Sequence, residues 1–177
     1  LLPFAWVYGT LIQIRRVAYR YGVLPSEKLP VPVVVIGNAV AGGGGKTPLT
    51  MALVTHLQSA GWQVGVISRG FGRDSEDVHE VRPGDTPALA GDEPLMIRSR
   101  CQVPVFVAAQ RVIAAKALLT AHPQTQIIVS DDGLQHYALH RDLEICAMDT
   151  RGIGNGRLLP AGPLREPWPR AVDLLIH

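Results

Sequence analysis

The feature that most constrains this chain is the stretch from Gly37 to Thr47, GNAVAGGGGKT, set directly behind the β-branched run Val33-Val34-Val35-Ile36. A helix-compatible segment, Pro48 to Ala60, follows it. Strand, glycine-rich loop ending in Gly-Lys-Thr, then helix is the order in which a backbone wraps nucleotide phosphates. Glycine reaches the required backbone angles without a Cβ clash, and the start of a helix adds unpaired N–H donors and the positive end of its dipole. In such a loop Val40, Ala41, Gly42, Gly43, Gly44 and Gly45 line the phosphates of ATP. Lys46 meets the β- and γ-phosphates, and Thr47 offers its hydroxyl to Mg2+. The spacing is irregular, because the common pattern G-x-x-x-x-G-K-[ST] puts a glycine where Val40 stands. A flexible glycine linker ahead of Lys-Thr is the bland alternative, and the flanking strand and helix do not suit it.

Downstream, apolar runs and helical spacings alternate. Leu49, Ala52, Leu53, Leu57 and Ala60 repeat at helical spacing and Gly61 ends the run. Gln63–Ser68, Val103–Ala108, Gln126–Ser130 and Leu143–Met148 read as buried strands, with a short one at Val78–Val81. Helices are expected over Pro94–Arg100 and Arg111–Ala121, and the segment from Gly154 to Pro167 reads as a long loop. This pattern predicts an α/β, doubly wound, mostly parallel sheet flanked by helices, the P-loop NTPase-like arrangement. At 177 residues the chain suits one core, and a net charge of +2 gives no general pull toward nucleic acid. Cys101 and Cys146 sit in apolar segments and read as buried thiols of a reducing compartment.

Three further places carry candidate chemistry. The strand Gln126–Ser130 ends in Asp131-Asp132-Gly133-Leu134-Gln135-His136, and a carboxylate at a strand end beside the phosphates suits magnesium. Asp92 and Glu93 open a helix, where they either cap it or serve the metal and the proton transfer; from the residues alone, capping is the favoured reading. Arg69 and Arg73 in RGFGR, and Arg165 with Glu166 in the late loop, are either phosphate contacts or solvated turns and ion pairs. Residues 1–22 are apolar with aromatics and late arginines, too short before Arg15 to span a bilayer. They suit either a helix lying on a membrane surface or one packed on the chain's own core. The chain starts at Leu1 and stops just past Leu174-Leu175-Ile176, which suggests a piece of something longer.

Taken together, GNAVAGGGGKTP, SRGFGR, AGDEP, DDGLQH, LHRDLEI and GRLLPAGPLREP occur in the order seen in the tetraacyldisaccharide 4'-kinase family, which this chain resembles nearly end to end. The resemblance implies ATP- and Mg2+-dependent phosphorylation of an acylated glucosamine disaccharide 1-phosphate at its 4'-hydroxyl. The product is lipid IVA, made at the cytoplasmic face of a Gram-negative inner membrane. It implies a membrane-associating helix over 1–24, a kinase domain over 25–177, and a second lobe beyond His177 supplying a histidine partner for Asp92. Asp92 and Asp132 are then the catalytic carboxylates, and Gln135 and Arg165 contact the nucleotide. Thr47, Glu93, Asp131 and Glu166 are the candidates near the metal. Val40 departs from the family's usual small hydroxyl residue. The alternatives are a membrane-partitioning ATPase of the ParA/MinD kind, which lacks support because Ala41 stands where those proteins carry a lysine, and a small-metabolite kinase.

Overall fold

Short β-branched runs without polar alternation must be covered on both faces. The computed structural model, which describes residues 1–42 and 45–177, shows them covered. The expectations placed on Gly43 and Gly44 lie outside the described residues. The elements are α1 (Leu2–Arg20), β1 (Val33–Gly37), α2 (Lys46–Ser59), β2 (Val64–Ser68), β3 (His79–Glu80) and α3 (Pro87–Ala90). They continue with α4 (Asp92–Cys101), β4 (Val105–Val107), α5 (Arg111–Ala121), β5 (Ile127–Ser130), β6 (Leu143–Ala147) and β7 (Leu174–Ile176). Every residue of β1, β2, β4 and β5 is buried.

The sheet runs β3-β4-β2-β5-β1-β6-β7, with all neighbours parallel except the β3–β4 edge. Val35 of β1 stands opposite Ser130 on one side and Glu144 on the other. The two-residue period of a strand divides its side chains between two cores. Val33, Val35, Ile67 and Ile128 pack with Ala114, Ala115 and Leu118 of α5. Val34, Ile36, Val66 and Val129 pack on the other face with Val54 of α2 and Ile97 of α4. Close seating of α5 requires glycine in β2, since a Cβ on Gly65 would lie 2.7 Å from Leu118. The loops leaving β1, β2, β4 and β5 gather at the carboxyl edge of the sheet, where open α/β folds bind ligands.

Some boundaries differ from the sequence expectation. The helix after the glycine loop begins at Lys46, before Pro48, and the fourth helix begins at Asp92. The four-residue α3 starts on Pro87, and proline at a first turn loses no hydrogen bond. Strand β7 exists through its pairing with β6, a long-range contact that local residue pattern does not announce.

Helix α1 lies along the late loop. Its inner edge is small, with Ala5 and Gly9 buried, and a Cβ on Gly9 would fall 2.6 Å from Leu158 Cδ1. The Tyr8 hydroxyl donates to the carbonyl of Arg165 at 2.9 Å, and the rings of Tyr19 and Tyr137 meet at 5.8 Å. The outer edge is apolar and uncovered: Phe4, Val7, Leu11 and Ile14 are each at least 60% exposed. Among the described residues no helix is long and apolar enough to cross a membrane.

Candidate active site

The glycine loop is strapped in place by the late loop. Val40 bridges antiparallel to Leu164, Ala41 N–H donates to the Pro163 carbonyl at 2.7 Å, and Arg165 N–H donates to the Ala39 carbonyl at 2.8 Å. The Val40 side chain is 4% exposed and packs in the core with Leu134 and Leu164, so an aliphatic residue fits there. Its contribution to a nucleotide site is therefore confined to the backbone. Gly42 and Gly45 take left-handed angles, φ 74° and 65°, which a side chain would resist. Immediately beyond, Lys46 and Thr47 open α2 and are nearly buried. Lys46 Nζ lies 3.4 Å from Asn38 Oδ1 and 3.6 Å from Asp132 Oδ1.

Strand β5 delivers the paired carboxylates to different environments. Asp131 is fully buried; its Oδ1 accepts from the Thr50 hydroxyl at 2.8 Å, while Oδ2 has no partner among the described residues. Burial pushes its carboxyl up to about 6, and the negative charges of Glu93 and Asp132 push the same way. Asp132, turned into the crevice at a left-handed φ of 48°, accepts from Arg165 Nη1 on both oxygens at 2.8 and 3.0 Å. Lys46, Thr47, Glu93, Asp132, Gln135 and Arg165 line one crevice of about 910 Å³.

Glu166 is placed differently from its neighbour. It is 1% exposed, and Oε1 accepts from Gln135 Nε2 at 2.8 Å and Arg170 Nη1 at 2.9 Å. Its Oε2 accepts from the Tyr137 hydroxyl at 2.7 Å and Arg170 Nη1 at 3.1 Å. Two donors on each oxygen fill what a carboxylate ordinarily accepts. Gln135 also reaches the Asn38 carbonyl at 3.3 Å. Arg170 continues to Glu144, which pairs with Arg141 at 2.9 Å.

Asp92 and Glu93 are exposed in the first turn of α4, and Glu93 lines the crevice. The N-cap is Gly91, at φ 86°, and neither carboxylate makes a capping hydrogen bond. The expectation that Asp92 caps the helix therefore fails: it lies one residue inside, where its charge still favours the helix dipole. A Cβ on Gly91 would sit 3.0 Å from Gly70 Cα, so the AGDEP and SRGFGR loops touch through their backbones.

Several participants escaped the sequence reading. Thr50 was visible only as a helix residue one turn past Thr47. Asn38, Tyr137, Arg170 and Arg111 became site residues through contacts distant in sequence. Among the described residues no three His, Cys, Asp or Glu side chains form a ready-made metal cage. Magnesium characteristically uses one or two protein oxygens plus phosphate. The unpaired Oδ2 of Asp131 and the Thr47 hydroxyl have the right chemistry for that set.

Comparison with known proteins places this geometry. The family model described as LpxK, tetraacyldisaccharide-1-P 4'-kinase, matches residues 1–177. A tetraacyldisaccharide 4'-kinase of Acidovorax sp. (strain JS42) is 60% identical over all of this chain and 52% of its own length. One from Polaromonas naphthalenivorans (strain CJ2) is 56% identical over all of this chain and 53% of its own length. The solved structure of "apo" form LpxK from Aquifex aeolicus in complex with ATP is similar at a TM-score of 0.86 and 38% identity, over 94% of this chain and 53% of that one. The chain thus spans about half the length of the curated relatives it matches. Helix, sheet, strapped loop and paired carboxylates agree with the sequence relationship: this chain belongs to the tetraacyldisaccharide-1-P 4'-kinase family.

Proposed function

We propose that the protein containing this chain transfers the γ-phosphate of ATP to the 4'-hydroxyl of a tetraacylated glucosamine disaccharide 1-phosphate. The carrying observation is the convergence, in one crevice, of the strapped glycine loop with Lys46, Asp132 and Arg165. Lys46 and the loop N–H groups hold the β- and γ-phosphates. Arg165, already paired with Asp132, steadies charge as it spreads over the transferred group. Thr47 and Asp131 are the residues that would hold magnesium, with Glu93 near enough to the crevice to assist. The ion supplies neutralisation of phosphate charge. The saturated hydrogen bonding of Glu166 favours a role in fixing Gln135 over direct metal ligation. Asp92, exposed beside the crevice-lining Glu93, takes the proton from the acceptor hydroxyl, oriented by a histidine from the remainder of the protein.

In this reading the outer apolar edge of α1 rests on the bilayer that holds the acceptor's acyl chains, and the reaction takes place at the cytoplasmic face of a Gram-negative inner membrane. The family relationship leaves the partitioning-ATPase and small-metabolite readings unfavoured. The test is Asp92→Ala in the full-length protein. Turnover of the acylated disaccharide should fall by about two to four orders of magnitude, the usual contribution of a general base, with ATP binding retained. Near-normal turnover would sink the assignment.

A further inference from the structure

The buried face of α2 holds one polar position that the phosphoryl-transfer scheme above leaves unused. Lys46, Thr47, Thr50 and Val54 are the buried residues of that helix, and their spacing puts them in one stripe. At its far end Val54 packs among Val34, Ile36, Val66 and Val129. Thr50 is equally inaccessible, at 0% exposed, and has the shape of a valine with a hydroxyl in place of one methyl. Packing alone would accept valine there.

The Thr50 hydroxyl donates to Asp131 Oδ1 at 2.8 Å, across 81 residues of sequence. A helical threonine can turn its hydroxyl back to the carbonyl four residues earlier. Thr10 and Thr120 do so, donating to Trp6 and Lys116 at 2.9 and 2.8 Å. Thr50 directs its proton to a carboxylate instead. The other oxygen of Asp131 is buried and has no partner among the described residues, so one end of the carboxylate is anchored and the other is left for a cation. The anchor is stiff, because a β-branched side chain has few χ1 rotamers. It also has a rival. Arg111 Nη2 donates to the Asp131 backbone carbonyl at 3.3 Å, and its Nε and Nη1 are buried without partners among the described residues. Guanidinium and carboxylate form strong charge-assisted bonds, and such a pair would occupy the oxygen that a metal needs.

We infer that Thr50 is a positioning residue for the metal carboxylate: its hydroxyl fixes the rotamer of Asp131, so that Oδ2 stays available to a divalent cation and does not turn to Arg111. This rests on the proposed function, in which Asp131 and Thr47 hold magnesium.

The test uses Mn2+, a spectroscopic stand-in that takes the same oxygen ligands. Its binding to the full-length protein with a non-hydrolysable ATP analogue is read from the loss of the free-ion EPR signal. Thr50→Val should weaken Mn2+ binding about ten- to hundredfold, the usual cost of removing a partner that orients a metal ligand. Thr50→Ala, which removes the same hydroxyl and favours the helix, should show the same loss. Thr50→Ser keeps the hydroxyl and should restore most of the affinity. Transfer to the acylated disaccharide should need correspondingly more Mg2+ in the two hydroxyl-free variants. Unchanged Mn2+ affinity in both would overturn the inference and leave Thr50 as a packing residue. An equal loss in Thr50→Ser would also overturn it, by assigning the effect to the shape of α2. So would weakened binding of the analogue in EDTA, which would place the damage in the glycine loop. Asp131→Asn separates these failures from that of the reading beneath them. Mn2+ binding untouched by that change would sink the magnesium assignment itself, and the role of Thr50 with it.

Discussion

His136 offers a quantitative check on the electrostatics of the crevice. Burial first, then Arg111, Arg69 and Arg15, push its imidazole down from 6.5 to about 3, with Asp132 opposing. A histidine with a depressed folded-state value is neutral when folded and takes up a proton when unfolded. The stability it contributes is therefore complete above about pH 6.5 and is lost as the pH falls toward 3. At about pH 5 the unfolded chain gains about 1.5 units of protonation advantage, or about 2 kcal/mol at 1.36 kcal/mol per unit. Near pH 7.5 this loss is close to zero. His136→Gln fills similar space and cannot titrate. Urea unfolding of the full-length protein and of this variant, each at both pH values, isolates the histidine because other titrations cancel in the double difference. The unmodified protein should lose about 2 kcal/mol more than the variant on acidification, a ceiling set by the ring's partial solvent access. Equal losses would refute the picture of a neutral imidazole held among three cations.

Two further outcomes are expected. Arg170→Met leaves the buried carboxylate of Glu166 and the half-buried one of Glu144 without their shared partner and should cost about 3–5 kcal/mol in chemical denaturation. If Glu166 is instead exposed and mobile, the loss will be under about 1 kcal/mol, as for surface pairs. Leu11→Glu places a charge in the outer apolar edge of α1 and should cut sedimentation with anionic phospholipid vesicles at least tenfold, with the urea midpoint nearly unchanged. Undiminished vesicle binding would remove α1 from the membrane contact.

The fold was largely legible because its signals are local. Val33–Ile36, Gln63–Ser68 and Gln126–Ser130 are apolar without alternation, and that pattern requires a sheet covered on both faces. The glycine loop, Lys46 and Asp132 were likewise legible, and the structure brings them within ion-pair distance. What escaped was long-range. Nothing in Leu174–Ile176 by itself declares a strand until β6 lies beside it. Arg111 reads as an ordinary helix start; its two unmet donors appear only when its side chain reaches from α5 to the backbone just past β5. Asp92 shows the converse, since a carboxylate beside a glycine has the local signature of a cap, yet Gly91 takes the cap position by adopting a φ of 86°. That angle is open to glycine because it has no Cβ, and the close approach to Gly70 separately leaves no room for a side chain.

The irregular spacing of the glycine loop has a mechanical explanation in these contacts. A loop that extends the usual pattern carries extra backbone to order, and the entropy of ordering each residue is about 1–2 kcal/mol. Here the extra residues are not left to themselves: Ala39, Val40 and Ala41 pair with Pro163, Leu164 and Arg165 as a short antiparallel bridge. The bridge delivers Arg165 to Asp132, and Asp132 in turn faces Lys46 at the other end of the loop. On its far side the carbonyl of Arg165 is held by the Tyr8 hydroxyl of α1, and Leu158 is pressed against Gly9. The helix that presents an apolar edge outward is thus joined through one loop to Arg165, Asp132 and Lys46 of the crevice. Helix α1 is tied by the Tyr8 hydrogen bond to the backbone of the residue whose side chain holds Asp132, the carboxylate that lies beside Lys46. The valine at position 40 belongs to that linkage, since its side chain packs against Leu164 and holds the bridge closed from beneath.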